Sequence, residues 1–307
     1  MREKSYDILG IGVAATDFLS IIEKMPSEGE VVKAIDSIID CGGPIATALV
    51  CASKLGSVSR FIDNVGDDWT GKLILEKFTS ARVDTSLIHT CTNSTSAKSS
   101  IWVSRSNGGE RTIVFTPGST SELDDYPDIE KIIEQTKIIH INGRHFNLCK
   151  KICRLAKKYN TLISFDGGSF RYREELDEII TFADIVIVAK DFAFKYSKEN
   201  DINSAAKVLL NSIPQIVVIT DGMNGSWLFT DEINGYHQPA FLLDVTIDTT
   251  GCGDSFHGAF LFGINMGYNL KYNMKFASAV AAINSKALGG QNGLPDLNSV
   301  ITFIEEK

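Results

Sequence analysis

The residues best suited to chemistry lie in the run Asp248-Thr249-Thr250-Gly251-Cys252-Gly253-Asp254-Ser255-Phe256-His257-Gly258-Ala259-Phe260. Two glycines precede a stretch of small and apolar residues that reads as a helix. The free backbone N–H groups of Gly251, Cys252, Gly253 and Asp254 can therefore converge on an anion at the positive end of the helix dipole. Asp254 sets a carboxylate where an anion site least tolerates one. That conflict suggests a chemical role, because a carboxylate beside a phosphoryl group can take the proton of an attacking hydroxyl. The alternative is that Asp254 is an ordinary first-turn helix residue. His257, three residues on, reads as a packed helix residue, and Asp254 is better placed as a base.

Three other glycine turns could face a phosphate. Gly10-Ile11-Gly12-Val13-Ala14-Ala15 fits GxGxxA, with Asp36 downstream. That dinucleotide motif needs a helix from its second glycine. Residues 18–22 are instead apolar and partly β-branched, and Pro26 follows, so a strand is expected and a dehydrogenase reading rests on the motif alone. Gly66-Asp67-Asp68-Trp69-Thr70-Gly71-Lys72 fits GxxxxGK, but Leu73 stands where a magnesium-binding Ser or Thr belongs. Its two carboxylates would repel phosphates, and a turn with a helix N-cap is expected. Thr220-Asp221-Gly222-Met223-Asn224-Gly225 follows an apolar run and could aim backbone donors at a second phosphate, or form a plain hairpin turn.

Positioning such loops calls for a scaffold. The chain has 307 residues, 44% hydrophobic and 22% charged, which excludes disordered and fibrous classes. A formal net charge of -8 argues against the phosphate-neutralising surface of a nucleic-acid or acidic-lipid binder. Cys41, Cys51, Cys91, Cys149, Cys153 and Cys252 form no CxxC pair and no zinc spacing, so reduced thiols and a cytoplasmic location are expected. Asp7 and Asp17 interrupt the apolar N-terminal stretch, and neither a signal peptide nor a membrane span is expected.

Short Ile- and Val-rich runs at 8–13, 58–62, 137–141, 161–165, 184–188 and 216–220 suit parallel strands buried on both faces. Amphipathic stretches at 148–159 and 204–212 lie between the later runs, so β and α alternate as in a three-layer α/β/α fold with a mainly parallel central sheet. Residues 18–40 and 95–116 instead alternate apolar and polar residues, with a hairpin signal at Asn107-Gly108-Gly109. These two insertions are expected to build a small antiparallel sheet outside the main one, a lid over the strand ends. Residues 1–307 are expected to form a single domain.

Gly42-Gly43-Pro44-Ile45-Ala46-Thr47-Ala48, Leu55-Gly56, Val65-Gly66-Asp67-Asp68 with Gly71, and the run from Asp248 through Gly258 together resemble the ribokinase-like (PfkB) family of carbohydrate kinases. The likeness covers essentially the whole chain in order. It implies a ribokinase-like domain with a β-sheet lid, and transfer of the γ-phosphoryl group of ATP, with Mg²⁺, to a sugar hydroxyl. A monovalent cation such as K⁺ and a homodimer through the lid are further expectations. Carried over, Asp254 is the base, and Gly251, Cys252 and Gly253 form the anion hole. Asp17, Gly42 and Gly43 hold sugar hydroxyls, with Thr47 in the same turn; Arg111 matches the lid arginine of ketohexokinase and could touch ligand, and Arg144, after a buried strand, could reach a sugar or phosphate or form a surface ion pair. Thr220, Gly222 and Gly225 lie along the nucleotide phosphates, with Ala281 and Asn284 near the adenine.

The departures are specific. Thr47 replaces the family's frequent Asn, and Pro44 stands where ketohexokinase has another. The NxxE motif linked to magnesium is replaced by Ala189-Lys190-Asp191-Phe192-Ala193, which leaves Asp191 as the candidate metal ligand. Ile139-His140-Ile141-Asn142-Gly143-Arg144 and Arg173-Glu174-Glu175-Leu176 are similar to ketohexokinase, whereas GGPIATA and His237-Gln238-Pro239-Ala240-Phe241 are similar to sulfofructose kinase. Glu30 stands where the latter has a lysine near the sulfonate, so an uncharged, fructose-type ketose is the expected substrate. The alternatives are another sugar such as ribose or sulfofructose, or a sugar- or nucleotide-sensing member without turnover. Cys252, at a helix N-terminus, is expected to be a reactive thiol.

Overall fold

The computed structural model describes residues 4–107, 109–212 and 214–307. The chain begins with β1 (Tyr6–Ile11), β2 (Ala15–Ile22), β3 (Asp36–Gly42), α1 (Pro44–Leu55), β4 (Ser59–Gly66), α2 (Trp69–Ser80) and β5 (Ile88–Cys91). There follow β6 (Ala97–Ser104), β7 (Glu110–Thr116), α3 (Ile129–Glu134), β8 (Thr136–Ile141), α4 (Phe146–Lys158), β9 (Leu162–Gly167) and α5 (Leu176–Ile180). The remainder holds β10 (Ile185–Ala189), α6 (Lys190–Ser197), α7 (Ile202–Leu210), β11 (Ile216–Thr220), β12 (Ser226–Phe229), β13 (Asn234–Gln238), α8 (Cys252–Asn265), α9 (Leu270–Asn284) and α10 (Leu297–Glu305).

Nine strands form the central sheet in the order β13-β12-β11-β10-β9-β8-β1-β4-β5. All neighbours from β11 to β5 pair in parallel, and β12 and β13 close one end antiparallel. The period of two along each strand explains why both faces are apolar. Ile8, Ile138, Ile187 and Val218 bury one face against α1, α8 and α9. Leu9, Ile139, Val186 and Val217, their neighbours in sequence, bury the other against α4, α6 and α7. Each such side chain contributes about 1.5–3 kcal/mol on full burial. The strand order reverses between β1 and β8, the switch point beyond whose carboxyl ends open α/β sheets generally bind their ligands.

The lid departs from the expected pairing. Its four strands run β3-β2-β6-β7; β2–β3 and β6–β7 are antiparallel, but β2 and β6 are parallel. The two insertions meet side by side in the same direction, so the sheet is mixed. It also starts earlier and ends later than 18–40 suggests, and Asp17 and Gly42 are lid-strand residues. Of the hairpin signal, Gly108 lies outside the described residues; the flanking strands pair from Ser104 and Glu110 onward. After Gly12 the chain enters β2 and no helix, which removes the dinucleotide motif. Asp68 caps α2 by accepting from Gly71 N–H at 3.0 Å, and four hydrogen bonds to its carboxylate push its pKa down to about 2.

Helix α8 packs closely on α1 and α9, which leaves no room for side chains at two positions. A methyl group on Gly258 would collide with the Ala48 carbonyl, and one on Gly263 with the Asn273 amide. The Ala48 obstacle is backbone and cannot rotate away. Gly258→Ala is expected to destabilise the fold by about 1–3 kcal/mol in urea unfolding, the range for overpacking a close helix contact. A variant as stable as the parent would show that α1 and α8 separate freely.

Candidate active site at the N-terminus of α8

Gly251 caps α8 at φ 74, in the left-handed region, and an added Cβ would lie 2.5 Å from the Gly290 carbonyl oxygen. Both constraints select glycine. Asp248 fixes the approach: its carboxylate accepts from Thr250 N–H at 2.8 Å and from Gly289 N–H at 2.9 Å. The side-chain amide of Asn284 then donates to Gly290 O at 2.9 Å, holding the facing loop. Among the described residues, the N–H groups of Gly251, Gly253 and Asp254 have no acceptor in the chain, whereas Cys252 N–H, expected among the free donors, is taken by Thr249 O at 3.3 Å in the turn that leads into the helix. The α-carbon of Gly253 faces open space. The result is a fixed set of donors, unpaired within the chain, at the positive end of a helix dipole.

Asp254 sits in the first turn of α8, half-buried. Loss of water and repulsion from Asp166 push its pKa up, against the opposing pull of Arg171, His257 and Arg111. Asp166 is on β9, buried beneath the helix, with its own pKa raised by burial. His257, one helical turn after Asp254, brings Nε2 to 3.7 Å from Asp166 Oδ1 and stacks obliquely on His140 of β8, with ring centroids 5.5 Å apart. His140 Nδ1 meets Ser164 Oγ at 3.2 Å. Burial lowers both imidazoles, His140 to about 3 and His257 to about 4, so both are neutral at physiological pH.

A second group of carboxylates hangs from the lid. Asp17 and Asp40 face each other across β2 and β3, and each is only 4% exposed. Asp40 pairs with Lys77 of α2 at 2.6 Å. Asp17 pairs in register with Ser99 on β6, which donates to it, but burial dominates and its pKa rises from 3.8 to about 7. Asp40, Asp254 and Asp248 add repulsion, so Asp17 and the head of α8 share one electrostatic environment. A methyl group on Gly42 would collide with the Asp17 carboxylate. From the far edge of the lid, Arg111 reaches down to donate to Thr249 Oγ1 at 3.2 Å, and Thr249 in turn donates to Gly109 O at 3.3 Å. The lid is thereby latched to the segment that carries the anion loop.

The model of the pfkB family of carbohydrate kinases matches residues 7–297. The chain belongs to this family. It is 28% identical over 327 residues to a 5-dehydro-2-deoxygluconokinase of Clostridium botulinum, covering 100% of this chain and 95% of that one. It is 25% identical to an ATP-dependent 6-phosphofructokinase of Thermoanaerobacterium thermosaccharolyticum, covering 99% and 96%. Arabidopsis thaliana ribokinase, solved with ribose and ATP, has the same fold at a TM-score of 0.86 and 22% identity, covering 98% of this chain and 99% of that one. The protein is therefore a carbohydrate kinase with a hydroxyl acceptor, and its α/β sheet with a small lid is the ribokinase-like fold.

In this kinase the remaining expected site residues divide into two groups. Gly43 sits at the start of α1 with φ 102, beside Gly42. Thr220 ends β11, Gly222 opens the short 3₁₀ turn at residues 222–224 with open space beside it, and Gly225 follows at φ 89. That turn does link two antiparallel strands, so the hairpin reading also holds. Ala281 lies half-buried on α9, its carbonyl facing Cys252 Sγ.

Others are engaged elsewhere. Thr47 is fully buried and its hydroxyl accepts from Gln291. Arg144 pairs with Glu122 at 2.7 Å. The side chain of Asn284 is buried on Gly290 and is a strut for the anion loop. Both Asp191 oxygens accept from the 169–170 turn, from Ser169 Oγ at 2.5 Å and Phe170 N–H at 2.7 Å, which leaves it a turn-capping residue. Cys252 is a correction: packed under α9, its thiol is pushed up to about 12 by burial and donates to Ala281 O at 3.4 Å, so the helix dipole does not make it reactive.

The raised pKa of Asp17 fixes a sign for stability. The folded chain keeps a proton that the unfolded chain loses, so this group lowers stability as pH rises from about 4 to about 7. In urea unfolding at pH 5 and pH 7.5, the parent is expected to lose on the order of 1–3 kcal/mol more than Asp17→Asn over that interval. Parallel pH dependences would mean that Asp17 is ionised throughout.

Proposed function

We propose that this carbohydrate kinase uses ATP with Mg²⁺ to phosphorylate a hydroxyl of a small neutral ketose of fructose type, with Asp254 as the general base. The observation that carries the reading is the set of unpaired N–H groups at Gly251, Gly253 and Asp254 beside a half-buried carboxyl of raised pKa. In phosphoryl transfer the protein mainly positions reactants and stabilises charge. The helix N-terminus would hold the γ-phosphoryl oxygens as charge moves onto them, without reorganising. Asp254 would accept the hydroxyl proton, and its raised pKa brings it nearer the basicity that this step needs. Thr220, Gly222 and Gly225 would lie along the nucleotide phosphates. Mg²⁺ would be held chiefly by phosphate oxygens and water, since Asp191 is engaged in its turn and Asp221 pairs with Lys190 at 2.9 Å.

The sugar would lie between the lid and α8. Asp17 is the acceptor that supports this placement, with Gly42 kept bare beside it. The substrate's charge follows from the wall chemistry. Asp17, Asp40, Asp248 and Asp254 act on one another there, and the nearby ammonium of Lys77 is already neutralised by Asp40. A sugar acid or sugar phosphate, the kind of substrate named for the clostridial and phosphofructokinase relatives, would add a further negative charge there, and a neutral ketose would not. Strand β7 is exposed along its whole length, with Ile113, Val114 and Phe115 about half-exposed, and a homodimer through the lid is part of the proposal.

The test is ADP release with ATP and Mg²⁺, with and without K⁺, across fructose, tagatose, psicose, ribose, sulfofructose, 5-dehydro-2-deoxygluconate and fructose phosphates. A neutral ketose is expected to give the highest kcat/KM. Asp254→Asn is expected to lower turnover by about 10² or more while retaining ATP affinity. Preference for an acidic sugar would overturn the substrate reading, and near-normal turnover in the variant would remove Asp254 from its role.

A further inference from the structure

The floor under α8 contains a polar island that makes no contact assigned to substrate or nucleotide. Strands β8 and β9 present alternate positions to α8, and where Ile138 continues the apolar face, the next positions on that face are His140, Ser164 and Asp166. His140 is fully buried, Asp166 is 3% exposed and His257, from the helix above, is 5% exposed. Three of their polar atoms, His140 Nε2, Asp166 Oδ2 and His257 Nδ1, are buried with no hydrogen-bond partner. Leaving one such atom unpaired costs about 1–3 kcal/mol. The residues that carry them come from three separate elements and adjoin one another, with His257 Nε2 3.7 Å from Asp166 Oδ1, and a common occupant would account for this group of buried, under-satisfied side chains.

We propose that His140, Asp166 and His257 form a buried binding site for one borderline divalent cation, Zn²⁺ by preference, outside the ATP–magnesium chemistry of the kinase. One ligand atom from each residue lies within 4.8 Å of the other two. The ligand atoms of a tetrahedral zinc stand about 3.3–3.6 Å apart, so closing this spread by about 1 Å completes three corners. Two imidazoles and one carboxylate select zinc-like ions over Mg²⁺ and Ca²⁺, which prefer oxygen. His140 has the geometry of a ligand: its Nδ1 is occupied by Ser164 Oγ at 3.2 Å, which orients the ring and leaves Nε2 free. A water would take the fourth position.

The inference does not rest on the kinase reading, and its test needs no turnover. Tag-free protein, without nucleotide or magnesium, is incubated with ZnCl₂, passed through gel filtration and assayed for zinc by mass spectrometry; a CoCl₂ sample is read for visible d–d absorption. About one ion per chain is expected in the parent, with at least a tenfold fall in retention in His140→Gln and in His257→Gln. Circular dichroism and urea unfolding of both variants verify that they fold. Absence of stoichiometric metal in the parent overturns the proposal and leaves water as the occupant. Equal retention in the folded variants, or a cobalt thiolate charge-transfer band, overturns it in favour of a site elsewhere, such as a cysteine.

Discussion

The bare N-terminus of α8 is the constraint on which the rest of the molecule depends. Helix dipoles and unpaired N–H groups attract water as readily as phosphate, so the donors are useful only if they are held in one arrangement. Three contacts hold them. Gly251 adopts a backbone conformation that side chains rarely tolerate, the Gly290 carbonyl closes off its α-carbon, and Asp248 staples the incoming segment to Gly289. The surrounding core then fixes the helix itself, through the close glycine contacts with α1 and α9. Preorganisation of this kind explains why the site can be built from backbone and needs few charged side chains of its own.

Negative charge accumulates as a consequence of the arrangement. Asp254, Asp166, Asp17, Asp40 and Asp248 lie in or around one crevice, and several have their pKa values raised by burial and by one another. Lys77 of α2 on Asp40 and Arg111 of the lid above Thr249 temper this. Arg111 acts on Asp254 and Cys252 as well, so lid position and the protonation of Asp254 are coupled through one guanidinium. Opening the lid would remove a positive charge from beside Asp254 and raise its pKa further. Substrate entry and base strength would then change together.

Much of this was legible in the sequence, for a physical reason. Buried parallel strands need continuous Ile and Val runs, and the runs that became β1, β8, β10 and β11 stood out within two residues of their observed bounds. The turn into α8 was legible because Gly251, ahead of a small-residue helix, answers a backbone requirement. Other features depend on distant partners that no local pattern encodes. The parallel β2–β6 pairing joins two separate insertions, the Asp40–Lys77 pair joins lid to helix, and Cys252 loses its reactivity to a helix that passes over it. Asn284 and Asp191 were legible as polar residues near the right loops, but their hydrogen bonds tie them to the chain. The His140–Asp166–His257 island did leave a signal: polar residues at strand positions that face α8, within runs otherwise wholly apolar.

The most direct test of the account is ³¹P NMR of the purified protein with ATP, Mg²⁺ and a mixture of fructose, tagatose and psicose. A phosphate monoester resonance should grow as the γ-phosphate signal of ATP declines, and Asp254→Asn should slow its growth about a hundredfold. A γ-phosphate signal that persists, one that reappears only as inorganic phosphate, or equal monoester formation by the variant would contradict the assignment of sugar phosphorylation to Asp254 and the head of α8.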